Sequence, residues 1–140
     1  MEELKINIPV KKVIPAIEPW FGTGLYLTRD CTYKFEVIPA SQTWKDGKLL
    51  KPFTADGRML PHLLGLYPFI RMPLVKWFAL LGCINKNRKT YFKIGTQLNE
   101  YTPPEDGELT CFSNDALGFN DYFYRHNNEG EIELTITKIK

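Results

Sequence analysis

Apolar and polar residues alternate along several short runs of this chain. In the run 32–38, Tyr33, Phe35 and Val37 fall on one face, and the polar residues between them fall on the other. The final run, 131–140, shows the same period of two until it drifts near its end. Because successive side chains of a strand point to opposite faces, this pattern predicts strands with one buried face and one wet face.

Strands are predicted over much of the chain in this way. The runs lie between clusters of Gly, Pro, Asn and Asp, and they cover residues 4–10, 25–28, 32–38, 77–84, 90–94, 108–113 and 131–140. The run 77–84 is almost continuously apolar, which predicts a central buried strand, and the segment 13–20 is irregular or an edge because Pro15 and Pro19 interrupt it. No segment of ten or more residues has a helical period, so the pattern favours an all-β sandwich.

Three segments do not follow the strand pattern. Residues 39–57 and 99–107 are predicted to be loops, and long loops are either functional or disordered. Residues 60–75 are apolar, but Pro61, Gly65, Pro68 and Pro73 exclude a membrane-spanning helix. We expect this segment to pack over the core or to form the wall of a pocket. If its large apolar groups are exposed, it would instead mark a surface for a partner.

Length, charge and cysteine content narrow the class of protein. A chain of 140 residues suits one compact domain, so we predict a single domain over residues 1–140. Its 18 basic and 16 acidic residues give a net charge of +2, with no basic stripe, which argues against a nucleic-acid partner. Cys31, Cys83 and Cys111 form no C-x-x-C pair, and we expect all three to be buried as small apolar residues.

The first residues of the chain indicate the cellular location of the protein. They read Met-Glu-Glu-Leu-Lys, and they lack the apolar stretch of a signal peptide. This predicts a cytoplasmic protein, unless the start has been trimmed or the protein is released to the extracellular space by another route.

The most informative polar residues lie beside two predicted strands. Asn114-Asp115 follows the run 108–113, and Asn127-Asn128-Glu129-Gly130 precedes the final run. If these strands are neighbours, a carboxylate and several amides share one rim. Such hard oxygen donors can hold calcium, which makes calcium the candidate cofactor, or they can bind the hydroxyls of a sugar. The same residues also make good turns, because Asn tolerates positive φ and Asp caps a strand end. A purely structural role, a calcium site and a metal-free ligand site are therefore the three alternatives.

Residues for catalysis are not apparent. His62 and His126 are far apart in sequence, and no Ser or Cys lies in a setting such as G-x-S-x-G. No spacing singles out a pair of carboxylates for glycosidic cleavage. We therefore predict that the protein is not an enzyme.

A further signal is the order of short motifs from about Pro15 onwards. The order runs Trp20, Thr23-Gly24-Leu25, Trp44, Ala55-Asp56-Gly57, Phe78-Ala79-Leu80-Leu81-Gly82-Cys83-Ile84, Tyr91-Phe92-Lys93-Ile94-Gly95, Asp106-Gly107-Glu108-Leu109, Asn114-Asp115 and Asn127-Asn128-Glu129-Gly130. This succession resembles that of the LecA-like galactophilic lectins and of the wider set of galactose-binding-like jelly-roll domains.

The resemblance implies a jelly-roll β-sandwich of two packed antiparallel sheets that binds galactose-type sugars through calcium. Carried over by position, Asp115, Asn127 and Asn128 match the side-chain ligands of the metal. Asp46 or Gly47 would supply a backbone carbonyl. Our first hypothesis places a sugar at the rim between the loop that follows Trp44 and the connection that follows Asp115, and an aromatic residue between Phe119 and Tyr124 would stack on the sugar ring. Its ligand-binding set is Trp44, Gly47, Thr54, Asp56, Asp115, Phe119, Tyr122, Tyr124, Asn127 and Asn128.

Some departures from the lectin pattern affect specificity. The connection between Asp115 and Asn127 is longer than in the lectins, and Thr54 and Gly57 stand where a His and a Gln would hold an outer hydroxyl of the sugar. These changes leave the implied fold intact and put the galactose specificity in doubt. Trp44 and the aromatic residues 119–124 have core or loop-packing alternatives.

A second functional hypothesis belongs to a different class. The apolar segment 60–75 and the missing signal peptide also fit an intracellular interaction or assembly subunit that has kept the fold and lost the sugar site. Many lectins form oligomers to gain avidity, so a homo-oligomer is a further expectation.

Overall fold

The structure, a computed structural model, describes residues 1–47, 50–118 and 121–140. The strands in these ranges are β1 (Glu2–Glu3), β2 (Val10–Pro15), β3 (Phe21–Leu27), β4 (Tyr33–Val37), β5 (Thr43–Asp46), β6 (Phe53–Thr54), β7 (Leu80–Ile84), β8 (Phe92–Lys93), β9 (Gln97–Tyr101), β10 (Gly107–Ser113) and β11 (Asn128–Lys138). The helical elements are the 3₁₀ helices Pro61–Phe69 and Arg88–Thr90 and the single-turn α1 (Tyr122–Arg125).

The strands form two packed sheets, as the sequence predicts. One sheet has the order β1-β3-β10-β7-β8, and the other has the order β6-β5-β11-β4-β9, with β2 pairing beside β11. Pairing is antiparallel except for the short contact of β1 with β3, which is parallel. The apolar faces of both sheets meet in one core, where Phe35, Leu25 and Leu134 are fully buried. The predicted β-sandwich is therefore confirmed.

The individual strands agree less closely with the prediction. Residues 4–10 alternate well but do not form a strand, and β2 begins at Val10, where it lies along the edge of β11. The run 77–84 becomes a strand only at Leu80, because Phe78 adopts a positive φ of 64° and turns the chain. The predicted loop 39–57 contains two strands, β5 and β6, and β9 extends into the predicted loop 99–107. Strand β9 is mostly polar and exposed, so its sequence carries almost no apolar period.

The long strand β11 connects the sandwich to the candidate rim. Its first three residues pair with β5, with Asn128 opposite Asp46, and its later residues pair with β2 and β4. This register brings the start of β11 and the end of β5 together. Strand β10 ends at Ser113, opposite Leu80, and Asp115 follows two residues later.

The apolar segment 60–75 forms a 3₁₀ helix and a turn over the same part of the molecule. Its buried residues are Leu60, Tyr67 and Ile70, whereas Leu64, Phe69 and Leu74 are exposed. Within the described ranges, no helix is both long enough and apolar enough to cross a bilayer.

Candidate functional site

A cavity of about 440 Å³ opens where β5, the chain after β10 and the start of β11 meet. Three of its lining residues are polar: Asp46, Asp115 and Asn127. The rest of the wall is apolar, and it consists of Leu50, Leu66, Phe69, Trp77, Ala116, Leu117 and Phe123. A mainly apolar cleft with a few converging polar groups is the usual form of a site for a small ligand.

Backbone hydrogen bonds fix Asp115 at this cavity. The Phe78 N–H donates to the Asn114 carbonyl at 3.0 Å, and this contact holds the chain as it leaves β10. The Asp115 carboxylate is 3% exposed. Its Oδ1 accepts from the Ala116 N–H at 2.7 Å, whereas its Oδ2 is buried and has no donor among the residues that the structure describes. One carboxylate oxygen is thus available for a ligand.

Asn128 contributes a second oxygen of this kind. Its Nδ2 donates to the Ala16 carbonyl at 3.0 Å, which orients the amide, and its Oδ1 is buried without a donor in the described part of the chain. Asn128 is also close enough to Asp115 to lower the pKa of that carboxyl, although burial raises this pKa by more. The two oxygens without donors therefore belong to neighbouring side chains.

Asp46 places a second carboxylate beside the first. Its Oδ2 accepts from Trp77 Nε1 at 2.5 Å, and its Oδ1 accepts from Asn127 Nδ2 at 2.5 Å. Burial raises the pKa of Asp46 despite these two donors. Burial, followed by the charge of Asp46, raises the pKa of Asp115 to about 7. Two buried carboxylates that repel each other favour a bound proton or a bound cation.

The donor set fits calcium. A buried oxygen without a partner costs about 1–3 kcal/mol, and a hard cation coordinated by Asp115 Oδ2 and Asn128 Oδ1 would relieve that cost. In the part of the chain that the structure describes, no three residues among His, Cys, Asp and Glu come together as a metal cluster. Calcium here would therefore depend on two carboxylates, amide or carbonyl oxygens, and hydroxyls of a ligand. Asn127 presents its NH₂ group to Asp46, so its role as a direct ligand stays a prediction.

Three residues of the predicted ligand-binding set lie elsewhere. Trp44 is 1% exposed in the core, where its Nε1 donates to the Phe78 carbonyl at 3.1 Å. Thr54 lies in β6, and its carbonyl accepts from the Gly57 N–H. The Asp56 carboxylate binds the backbone N–H and the hydroxyl of Thr96. None of these three residues lines the cavity.

The aromatic residues after Asp115 divide into three roles. Tyr122 is exposed and stacks on His126, away from the cavity wall. Phe123 lines the cavity. Tyr124 is fully buried, and its hydroxyl contacts the Ser113 carbonyl and the Asp115 N–H. It therefore stabilises the backbone beside Asp115 and does not contact a ligand. The predicted stacking residue Phe119 lies outside the described residues.

Several residues of the cavity are not identifiable from the sequence. Trp77 is a core residue, as the apolar run predicts, and it also lines the cavity and hydrogen-bonds Asp46. Leu66 and Phe69 come from the apolar segment 60–75, whose predicted role as a pocket wall is confirmed. The exposure of Phe69, at 69%, follows from this position at the mouth.

Gly47 is placed where only glycine fits, and this gives a first testable prediction. Its φ is 77°, and an added Cβ would lie 2.8 Å from Asn127 Oδ1. Gly47→Ala should lower the free energy of unfolding by about 1–2 kcal/mol through backbone strain, and it should also displace Asn127 from Asp46. Gly24→Ala is a matched control, because Gly24 has a φ of 76° and nothing within 4 Å of the added atom. In denaturant unfolding, a penalty at residue 47 no larger than that at residue 24 would show that the contact with Asn127 is unimportant.

Comparison with known proteins supports the fold at this point. No protein-family model matches the chain, and no curated protein matches its sequence. Among solved structures, the chain matches the EclA N-terminal domain, a PllA-like lectin, with a TM-score of 0.64 and 14% identity. The match covers 91% of this chain and 94% of that one. The fold is lectin-like. This confirms, at the level of the fold, the resemblance to LecA-like lectins that the motif order indicates.

Proposed function

We propose that this protein is a non-catalytic lectin that binds carbohydrate in the cavity beside Asp115. The observation that carries the proposal is a pair of buried oxygens that have no donor among the described residues: Asp115 Oδ2, on a residue that lines this cavity, and Asn128 Oδ1, on the neighbouring side chain at the start of β11. Sugar hydroxyls are donors of the right kind for both. The likeness in fold to a PllA-like lectin supports the same function.

The lining of the cavity suits a pyranose ring. A sugar has a polar edge of hydroxyls and an apolar face of C–H groups. The carboxylate of Asp115 and the amide of Asn128 would bind the edge. Phe123, Phe69 and Trp77 would cover the apolar face, because aromatic rings offer flat apolar surfaces.

Calcium belongs to the proposal as a bound cofactor held by Asp115 and Asn128, with Asp46 next to them. When bound, calcium would supply positive charge between the two carboxylates and coordination positions for the hydroxyls of the sugar. The residues themselves hold these oxygens in place, because Ala16, Ala116 and Trp77 each occupy one polar atom of the set. A galactose-type sugar is proposed from the resemblance to the lectins, and its test is a panel of sugars.

A second candidate function rests on the exposed apolar residues of the segment 60–75. Leu64 is 60% exposed and Leu74 is 102% exposed, which suits an assembly or interaction surface. Analytical ultracentrifugation separates this role from sugar binding. A homo-oligomer that binds no glycan would favour it, whereas a monomer that binds glycans would contradict it.

The second testable prediction is that glycan binding depends on calcium. We expect binding to galactose-type sugars on a glycan array in millimolar calcium and its loss in excess chelator. A ligand that binds only the folded state stabilises it by about 2.7 kcal/mol at a hundred times its dissociation constant, so calcium with sugar should raise the melting temperature.

Magnesium is the control for ionic strength, because it prefers a smaller octahedral site with retained waters. Equal binding in calcium and in chelator would reject the metal and leave a metal-free lectin. No binding to any glycan under either condition would reject the proposed function.

A further inference from the structure

A second pocket adjoins the sugar cavity. It has a volume of about 260 Å³, and it is lined by Phe69, Ile70, Arg71, Arg88, Tyr91 and Leu117. Phe69 and Leu117 line both pockets, so they form a shared wall between them. A ligand that fills the first cavity therefore has the second pocket as its immediate neighbour.

The backbone joins the two pockets closely. Ile70 forms an antiparallel bridge with Ala116, and the Arg71 N–H donates to the Asp115 carbonyl at 3.2 Å. The residue that supplies a carboxylate to the first cavity is thus directly bonded to the residue that supplies a guanidinium to the second. The relative placement of the two pockets is fixed by these contacts.

The second pocket is basic. Its lining includes two guanidinium groups and no carboxylate. Among the described residues, the ion pairs are Lys11–Glu133, Lys34–Glu36 and Arg125–Glu18, so neither Arg71 nor Arg88 is neutralised in this way. The Arg88 side chain is exposed at the pocket, in the turn that precedes Tyr91. This pair of charges is available to an anion.

Arg71 is held rigidly. Its guanidinium carbon lies 3.4 Å from the centre of the Phe112 ring and 4.1 Å from that of Trp20. Its Nη1 donates to the Tyr124 hydroxyl, and its Nη2 is buried with no acceptor within the described ranges. Because the aromatic contacts hold the group in place, an oxyanion would meet a charge that needs little reorganisation.

Tyr91 adds a neutral donor. Its hydroxyl accepts from Arg71 Nε at 3.0 Å and makes no hydrogen bond to an acceptor among the described residues. The hydroxyl proton is therefore left to donate. Two guanidinium groups and a phenol form a donor set for the oxygens of a carboxylate, sulfate or phosphate group.

We propose that this second pocket is a subsite for the oxyanion of an acidic glycan whose neutral ring occupies the sugar cavity. The inference rests on the proposed lectin function and specifies its ligand as a sugar acid or a sulfate or phosphate ester. Arg88 contacts the oxyanion directly, Tyr91 donates its hydroxyl proton, and Arg71 supplies the fixed charge behind them.

The test compares neutral and acidic glycans on matched variants. Isothermal titration calorimetry would measure a galactoside, its uronic acid and its sulfated form with wild type, Arg88→Gln and Lys89→Gln. Lys89 is exposed in the same 3₁₀ turn and does not line the pocket, so its variant controls for the loss of one charge. We expect wild type to favour an acidic form by roughly tenfold, because the oxyanion gains a charge-assisted hydrogen bond that the neutral sugar lacks. Arg88→Gln should abolish this preference and Lys89→Gln should keep it.

Inorganic sulfate provides a readout that needs no sugar. We expect sulfate to raise the melting temperature of wild type and of Lys89→Gln more than that of Arg88→Gln. If wild type prefers no acidic glycan and sulfate stabilises all three proteins equally, the subsite is overturned while the lectin function stands. If no glycan binds, the lectin function fails, and a sulfate response that depends on Arg88 still supports an anion pocket. The uronic and sulfated ligands then separate carboxylate from sulfate as the oxyanion.

Discussion

Asp115→Asn should stabilise the metal-free protein and at the same time remove its response to calcium. The carboxyl is buried beside Asp46, its Oδ2 has no donor among the described residues, and its pKa is raised from 3.8 to about 7. A neutral amide at residue 115 removes the repulsion from Asp46. The rise is roughly three pKa units at about 1.36 kcal/mol each, so we expect a gain on the order of 4 kcal/mol at pH 8 in chelator.

The pH dependence gives this prediction a specific signature. A raised pKa in the folded state means that the folded protein holds the proton more tightly than the unfolded chain does. The associated stability is present below about pH 4, the ordinary pKa of an aspartate, and is lost as the pH rises to about 7. The difference in unfolding free energy between Asp115→Asn and wild type should therefore grow over this interval and remain constant above it.

Chemical denaturation in chelator and in calcium measures both effects. Asp30→Asn is the control, because Asp30 is exposed and lies outside the cavity. We expect it to behave as wild type at every pH and to keep the calcium response. An Asp115→Asn protein that is less stable than wild type in chelator would show that the carboxylate is structural. A retained calcium response would show that the metal binds elsewhere.

Asn114→Ala should be strongly destabilising, by about 3 kcal/mol. Asn114 is 0% exposed, and its Nδ2 donates at 3.1 Å to the carbonyls of Met72, Val75 and Lys76, while its Oδ1 accepts from the Met72 N–H. Alanine leaves these buried backbone groups without partners, and each such group costs about 1–3 kcal/mol. The loop 72–76 leads directly to Trp77, so the variant should also bind the glycan more weakly.

Asn99→Ala is the matched control for this change. Asn99 is exposed, and its side chain bonds only to Gln97 among the described residues, so its loss should change the unfolding free energy by less than about 0.5 kcal/mol. Urea unfolding of the two variants tests the prediction. Equal, small effects would mean that the loop 72–76 is held by its apolar contacts and not by Asn114.

The motif Asn114-Asp115 shows how far the sequence could be interpreted. Both residues are polar groups at a strand end, where such groups either support the backbone or bind a ligand. Each of the two residues serves one of these functions. Asn114 supports the neighbouring loop, and Asp115 faces the cavity. From the sequence, either residue could serve either function. The two adjacent side chains point in different directions, and only the path of the chain after β10 decides which of them faces the cavity.

Trp77 and Phe69 show where the local sequence pattern carries too little information. Large apolar residues occupy cores, pocket walls and surfaces alike, and nothing in the local pattern distinguishes these positions. Trp77 lines the cavity because Phe78 turns the chain just before β7. The polar strand β9 and the short β5 were missed for a related reason, since neither has an apolar face long enough to show a period.

By itself, the sequence determined the β-sandwich, the buried faces of strands such as β4, and the polar residues that lie at the border of the site. Period-two alternation reports which face of a strand is buried, and this is a local property. The tertiary structure decided that Asp46 joins Asp115 and Asn128, that Trp44 belongs to the core, and that Arg71 and Arg88 lie in one pocket. Those outcomes depend on the pairing of β11 with β5 and on loops that pack over the sheets. The local pattern of apolar and polar residues does not indicate which residues that are distant in sequence come into contact.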